Sequence, residues 1–468
     1  MVVGTQAIDV DTLIIGSGPG GYVAAIRAAE LGQKVVIVER DFIGGICLNV
    51  GCIPSKALIQ AGHLYATLQH GNPFGVTVGE SKLDFAKTQD WKQHQVVEKL
   101  TGGVEMLLKK HKVEIVRGEA YFNDNETVNV IDGDDSHIYR FKKALIATGS
   151  RPVEIPHFKF SGRVIDSTGA LNLKSVPEHL IIIGGGVIGA ELAGAYMNLG
   201  SKITIIEGLD HILNGFDGEL IQPVLNNFKK NGVDIITEAT AVEANQTDKD
   251  VIVTYEVDGT TKKVTGDYCL VSVGRRPNTD QIGLNNTDVK LDKRGLIEVS
   301  DSMQTSVKHI YAIGDVVAGP ALAHKASYEA KVAAAAMSGE DAHDKHYVIP
   351  AVAYTNIEVA TVGETPQTVA EKKLDAKSSK FPFAASGRAM TMDQTEGFIR
   401  LVTDNPTGAI IGAQIVGPEA SDLISELTLA IENGITIRDI ELTIHPHPTL
   451  GEEIMDAAEV AAGLPIHI

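Results

Sequence analysis

Val10–Gly21 reads V-D-T-L-I-I-G-S-G-P-G-G, and its reading decides the fold. Five apolar or β-favouring positions run into Gly16-Ser17-Gly18-Pro19-Gly20-Gly21, an alanine-rich stretch follows to about Leu31, and Lys34–Glu39 (K-V-V-I-V-E) is apolar again until its closing acid. Strand, glycine loop, helix and strand in that order form a βαβ unit. Gly16, Gly18 and Gly21 let the backbone turn tightly and approach a pyrophosphate at a helix N-terminus, and Glu39 is placed for a ribose hydroxyl. The whole unit recurs. Leu180–Gly184 is a strand, Gly184, Gly186 and Gly189 repeat the glycine spacing, a helix runs to about Leu199, and Lys202–Glu207 closes the copy. The acid follows the first glycine by 23 residues in both copies. Two copies matched in every part predict two dinucleotides in two related Rossmann-like domains of an α/β chain.

A few residues beyond the first unit, Gly44–Lys56 reads G-G-I-C-L-N-V-G-C-I-P-S-K and holds Cys47 and Cys52, two of the three cysteines among 468 residues. A chain so poor in cysteine is not stapled by disulfides. On a regular helix, residues five apart lie roughly 8–9 Å from each other, beyond the reach of about 7 Å for a disulfide. A bridge between them requires irregular backbone, which Gly44, Gly45 and Gly51 permit. Pro54 suits the first turn of a helix through Ser55–Ile59, whose positive end favours a thiolate. Two buried free thiols are the plainer reading, and a zinc site lacks a second Cys or His pair at ligand spacing. A flavin exchanges electrons with a disulfide and a nicotinamide passes hydride to a flavin, so FAD belongs to the first unit and a nicotinamide to the second. Glu207, followed by Gly208-Leu209-Asp210 with no arginine beside it, favours NAD over NADP.

Composition limits the rest. The length calls for two to four domains. With 41 basic against 60 acidic side chains the net charge is −19, which argues against nucleic acid and anionic membrane as partners. Met1–Asp11 lacks the pattern of a secretory signal, and no apolar run has transmembrane length, so a soluble cytoplasmic protein is expected.

Between the units, Leu68–Lys112 is helical in pattern, Val113–Gly118 and Thr127–Val130 read as strands, and Ala144–Gly149 is a strand ending before Arg151-Pro152. Tyr268–Pro277 repeats that ending: apolar strand, Gly, Arg, Pro. Val251–Val257 and Lys262–Gly266 predict a hairpin. Cys269 reads as a packing residue. Ile310–Asp315 is a strand whose terminal carboxylate suits a polyol hydroxyl, and Ala321–Met337 is an alanine-rich helix. Past it, strands are expected at Ala351–Tyr354, Gly397–Thr403 and Ala409–Val416, with helices at about Ala420–Asn433 and Glu452–Ala462. This last region has no nucleotide motif and reads as an assembly or substrate domain.

Thr443–Glu453 reads T-I-H-P-H-P-T-L-G-E-E. The prolines make the backbone extended. A histidine there has the pKa to move thiol protons, and Glu452 could orient it. Equally, Thr449–Glu452 has the spacing of a capping box, and spacing does not choose between His445 and His447.

The two glycine motifs, G-G-x-C-L-N-x-G-C-I-P-S-K, A-I-G-D at Ala312–Asp315 and the closing H-P-T-L-x-E together resemble the dihydrolipoamide dehydrogenases of the 2-oxoacid dehydrogenase complexes. Those are members of the pyridine nucleotide–disulfide oxidoreductases, and the opening residues resemble the Gram-positive type. The resemblance implies that Cys47 is the interchange thiol and Cys52 the thiol facing the flavin, that His447 is the acid–base and Glu452 its partner, and that Lys56 pairs with Glu191. Gly16, Gly18, Gly21, Glu39, Lys56, Ala120, Asp315 and Ala323 match FAD positions; Gly184, Gly186, Gly189, Glu207 and Gly274 match NAD positions. It implies an FAD-binding domain over residues 1–150, an NAD-binding domain over 151–275, a central domain over 276–346 completing the FAD site, and an α+β dimerisation domain over 347–468. The implied partners are a second copy, whose active site receives His447, and the lipoyl and peripheral-subunit-binding domains of an acyltransferase. No metal is implied. Ile46 stands where the family often has threonine. The alternatives are a glutathione or mercuric reductase, against which Glu207 and the lack of a terminal cysteine pair count, and a non-catalytic docking flavoprotein.

Overall fold

The structure, a computed structural model, describes residues 7–344 and 348–468. The expected domain boundary at 346/347 and the first six residues of the N-terminal stretch lie outside the described residues. The chain forms two compact units. One comprises residues 1–57, 87–153 and 274–345, the other residues 58–86, 154–273 and 346–468.

The first unit is built on a mixed sheet. Ile8–Ile15 lies in its middle, parallel to Val35–Glu39 on one side and to the long strand Asp135–Ile146 on the other. Glu114–Arg117 extends the sheet beyond Val35–Glu39. Asp135–Ile146 pairs with Thr127–Asp132 along its first half and with Ile310–Ala312 along its second. The central strands read as unbroken apolar runs because helices cover them: Val35–Glu39 is buried at every position. The helix Pro19–Glu30 presents Gly20, Ala24, Ala25 and Ala28 inward, and Ala330, Ala333 and Ala334 of the helix Ala323–Met337 join the same core. These small side chains let the helices approach closely: a Cβ on Gly20 would lie 2.9 Å from Ile313 Cδ1 and 3.3 Å from Ala326 O.

The second unit repeats the arrangement. His179–Ile183 lies between Lys202–Ile206 and Tyr268–Val271, all parallel, with Asp234–Ile236 and Val164–Ile165 at the edges. In both units the first strand of the βαβ motif thus sits between the second strand and the later strand that ends in the Gly–Arg–Pro sequence. The expected hairpin is present and is joined by a third strand, Thr240–Gln246. The same unit holds an antiparallel sheet in the order Ala351–Ala353, Glu358–Gly363, Ile410–Gly417, Phe398–Asp404, Ala376–Pro382, backed by the helices Ala420–Glu432 and Glu452–Ala462. Cys269 is buried in its strand and its thiol is pushed up to about 12 by burial, so it stays protonated.

One expected helix is corrected. Leu68–Lys112 is not continuous: the helix Cys52–His70 ends, residues 71–84 form no helix or strand, and helical structure resumes at Phe85 and runs through a π-helical stretch, Trp91–Val97, to Lys110. Gly71 and Gly75 both take positive φ there and Pro73 lies between them, so a turn breaks the helical pattern.

Candidate active site

The glycines of the first motif have separate tasks. Gly16 has φ +98°, and a Cβ on it would stand 2.4 Å from Ala147 O; one on Gly21 would stand 1.9 Å from Gly16 O. Both are fixed by the protein's own packing. Gly18 has φ −63°, an ordinary value, and its Cβ would meet no atom within 4 Å among the described residues. It is the N-cap of Pro19–Glu30, and no side chain caps that helix. The open position and uncapped N–H groups make an anion cradle. Glu39 is buried; its Oε2 accepts from Ser17 N at 2.8 Å and Ser17 Oγ at 2.6 Å, and its Oε1 from Asp41 N at 2.8 Å.

The second motif is built alike. Cβ atoms on Gly184 and Gly189 would stand 2.8 Å from Ser272 O and 2.1 Å from Gly184 O, while one on Gly186, at φ −64°, would meet nothing within 4 Å among the described residues; Gly186 caps Val187–Asn198 without a side-chain bond. Glu207 Oε2 accepts from Gly185 N at 2.6 Å and Oε1 from Leu209 N at 2.8 Å.

The cysteine stretch is attached to the first cradle. Gly44 N donates to Ser17 O at 3.0 Å, and Gly45, at φ +61°, packs so closely that a Cβ on it would lie 2.6 Å from Gly18 Cα. Asn49 Nδ2 donates to Ile43 O and Gly45 O, both at 2.9 Å, fastening the short helix Gly45–Val50 that carries Cys47. Gly51 interrupts it at φ −140°, ψ −114°, and Cys52 opens the next helix, Cys52–His70, with Pro54 in its first turn. This is the irregular backbone that a bond between the two sulfurs requires. The two sulfurs are not joined in a disulfide here; Cys47 is half-buried and Cys52 exposed. The hydrogen bond with Cys52 first, then burial and the charge at Cys52, push the Cys47 thiol strongly up against the opposing pull of Lys56. Cys52 stands at a helix N-terminus, whose positive end favours a thiolate. Ile46 is exposed.

In the same unit Asp315 lies in the turn Gly314–Val316 after its strand, and its Oδ2 accepts from Ser150 Oγ at 2.6 Å. Ser150 Oγ in turn accepts from Arg275 Nε at 2.8 Å. The two Gly–Arg–Pro endings meet here as an antiparallel ribbon, Arg276 opposite Arg151. Ala120 is buried in Glu119–Phe122, and Ala323 opens the helix Ala323–Met337. Gly274 falls in this unit, with φ +130°. Glu191 falls in the other, 5% exposed, with Oε1 accepting from Tyr354 N at 3.0 Å.

The two histidines near the C-terminus differ sharply. His445 has a side chain 6% exposed, held by Glu426 through Nε2 at 2.9 Å and by Thr443 O through Nδ1 at 3.0 Å. His447 is 82% exposed, with Nδ1 on Glu452 Oε1 at 2.9 Å. Glu452 serves two ends: its Oε2 accepts from Thr449 N at 2.8 Å. Thr449 Oγ1 donates to Pro446 O, and Gly451 is the N-cap, so only one arm of the capping box exists. Burial raises the Glu452 pKa, but the bonds from Thr449 and His447 outweigh it and hold the carboxyl below its usual range.

Residues 10–330 match the family model of the pyridine nucleotide-disulphide oxidoreductases, and residues 349–458 match the dimerisation domain of the same family. The chain belongs to this family. Among its relatives, a dihydrolipoyl dehydrogenase of Geobacillus stearothermophilus is 57% identical over the whole of this chain and 99% of its own. One of Bacillus subtilis is 54% identical over all of both, and one of Halobacterium salinarum 42% over all of this chain and 99% of its own. The solved structure of LpdA from Mycobacterium tuberculosis superposes with a TM-score of 0.90 at 27% identity, covering 97% of this chain and all of the other. A flavoprotein disulfide reductase, RclA of Escherichia coli, gives 0.87 at 26%, with 97% and 99% covered. As a family member the chain is an oxidoreductase and flavoprotein that uses FAD and NAD, has two dinucleotide-binding domains and a dimerisation domain, and forms a homodimer.

The residues present fit both cofactors. Each unit offers an uncapped helix N-terminus behind an open glycine and a buried carboxylate 23 residues after its first glycine. Among the described residues no helix is long and apolar enough to cross a membrane. Ser17, Asn49, Ser150, Arg275 and Tyr354 were not assigned roles from the sequence: Ser17, Asn49 and Arg275 lie inside quoted stretches whose glycines, cysteines and repeat drew the reading, and Ser150 and Tyr354 belong to no motif.

Proposed function

We propose that the chain is a dihydrolipoamide dehydrogenase that oxidises protein-bound dihydrolipoamide to lipoamide and reduces NAD+. The observation that carries this is the attachment of the thiol pair to the first cradle, through Gly44 N on Ser17 O and Gly45 against Gly18. FAD is assigned to Gly16, Gly18, Gly21, Glu39, Ala120, Asp315 and Ala323, and NAD to Gly184, Gly186, Gly189, Glu207 and Gly274. When bound, the flavin supplies two-electron exchange between the dithiol and the nicotinamide.

Cys47 and Cys52 alternate between disulfide and dithiol. His447, contributed by the second subunit of the homodimer, takes a proton from a thiol of dihydrolipoamide. Glu452, through Nδ1, holds the ring so that Nε2 faces outward as the base. The substrate thiolate attacks Cys47 and displaces the Cys52 sulfur as thiolate; the second substrate thiol attacks the mixed disulfide, closing lipoamide and leaving Cys47 to take the proton. The pair has then gained two electrons and the substrate has lost two. The helix N-terminus under Cys52 supports this division of roles. Lys56 supplies a cation on the flavin side, and Glu191 is assigned as its partner. Residues 347–468 form the subunit interface, and the cytoplasmic enzyme serves the lipoyl domains of an acyltransferase while docked on its peripheral-subunit-binding domain.

The test compares NADH formed from dihydrolipoamide with NADPH oxidised by glutathione disulfide. Turnover in the first assay alone supports the proposal; turnover in the second alone assigns a glutathione reductase, and a protein without flavin ends both readings.

A further inference from the structure

Lys325 and Glu329 stand one turn apart on the helix Ala323–Met337, with Nζ 2.8 Å from Oε1 and side chains 3% and 4% exposed. An ion pair this deep is costly to assemble, and a well-packed apolar pair often serves stability as well or better. Its geometry shows a more specific use. Both charges converge on one residue, Gly314: Glu329 Oε2 accepts from Gly314 N at 2.7 Å, and Lys325 Nζ donates to Gly314 O at 3.3 Å. Gly314 N belongs to the peptide before its Cα and Gly314 O to the peptide that begins Asp315. The pair therefore grips the chain on both sides of a residue in the left-handed region, at φ +77°. Gly319 makes room for it, since a Cβ there would stand 2.7 Å from Lys325 Cε. Burial raises the Glu329 pKa, while Lys325 and the Gly314 N–H oppose it. Beyond the gripped peptide is Asp315, whose carboxylate is bonded to Ser150.

We propose that Lys325 and Glu329 are positioning residues for FAD: they fix the Gly314–Asp315 peptide so that the Asp315 carboxylate is presented to the flavin's polyol chain. This rests on the assignment of Asp315 to FAD made above. Neither residue touches the flavin; each acts through Gly314.

The deciding variant is Lys325→Met/Glu329→Leu, which fills the volume with apolar side chains, leaves Gly314 N without its carboxylate and leaves Gly314 O with only the Val317 N–H, at 3.2 Å. Glu329→Gln is the milder companion and is measured alone if the double variant does not fold. Each holoenzyme is diluted into FAD-free buffer and flavin release is followed by the recovery of free-flavin fluorescence; melting is followed by circular dichroism in excess FAD. The expected result is faster release by about tenfold or more, the worth of one charge-assisted hydrogen bond from the misplaced Asp315 carboxylate to the flavin, with melting in excess FAD close to wild type because the apolar pair offsets the lost ion pair. A wild-type release rate in the folded variants overturns the inference, as does a lowered melting temperature at an unchanged release rate, which is what a merely structural pair gives. A wild-type protein that neither carries nor takes up FAD overturns the underlying flavin assignment instead.

Discussion

Gly186→Ala separates ligand binding from folding. Gly186 has φ −64°, which alanine adopts freely, and its new Cβ meets nothing within 4 Å, so the protein accommodates it. The lost unfolded-state freedom of glycine offsets the poorer cap, and stability stays within about 0.5 kcal/mol. In the proposed NAD site the methyl group stands where the backbone must approach a pyrophosphate. Displacing the phosphate from the helix N-terminus forfeits charge-assisted hydrogen bonds of about 1.5–3 kcal/mol, a rise in KM for NAD+ of about ten- to a hundredfold. Because that binding is shared by ground and transition state, kcat changes little. Gly189→Ala is the control with the opposite signature: its Cβ would stand 2.1 Å from Gly184 O and 2.8 Å from Ser272 Oγ, so backbone must move, at about 1–3 kcal/mol of stability. Steady-state NADH formation at varied NAD+, together with thermal melting of both variants, reads the two effects. A wild-type KM in Gly186→Ala, or a melting temperature below that of Gly189→Ala, refutes the division of labour among the glycines.

Three further outcomes are expected. His447→Gln loses dihydrolipoamide turnover by about a hundredfold or more while NADH-dependent dye reduction persists; equal loss of both activities assigns the ring a structural role. Gly45→Ala, with Cβ forced to 2.6 Å from Gly18 Cα at φ +61°, lowers flavin retention as well as stability, measured by flavin content after dialysis and by melting. Glu453, 3% exposed, has its pKa raised by burial to about 7. Its folded value lies above the unfolded one, so stability falls as pH rises from the unfolded carboxylate range to about 7. Glu453→Gln is then more stable than wild type above pH 7, by about 1–2 kcal/mol after solvent screening, and the gap closes toward pH 4. Chemical denaturation across that range checks the sign.

What the sequence made legible was local. Both βαβ units were readable because glycine spacing and a closing acid encode the turn, the helix start and the strand end within about thirty residues. The thiol pair was readable because cysteine is rare here. What it hid depends on residues far apart. Ala376–Pro382 is a polar strand, A-K-S-S-K-F-P, that exists by pairing with Phe398–Asp404. Glu358–Gly363 sits between two partners, one more than fifty residues away. Ser150 holds Asp315 across 165 residues, and no periodicity announces a lone serine. At the C-terminus the capping-box spacing of Thr449–Glu452 left two roles open, and the structure gives Glu452 both a backbone N–H and the His447 ring, one on each oxygen. The difference between His445 and His447 is one of burial, which alternating His-Pro cannot encode.

The central claim is that Cys47 and Cys52 relay electrons from a dithiol substrate to the nucleotides. NADH formation from dihydrolipoamide by wild type and by Cys47→Ser tests it most directly. Rapid turnover by the wild type and its near-complete loss in the variant, with the flavin still bound, is the expected result. Undiminished NADH formation by Cys47→Ser would contradict it.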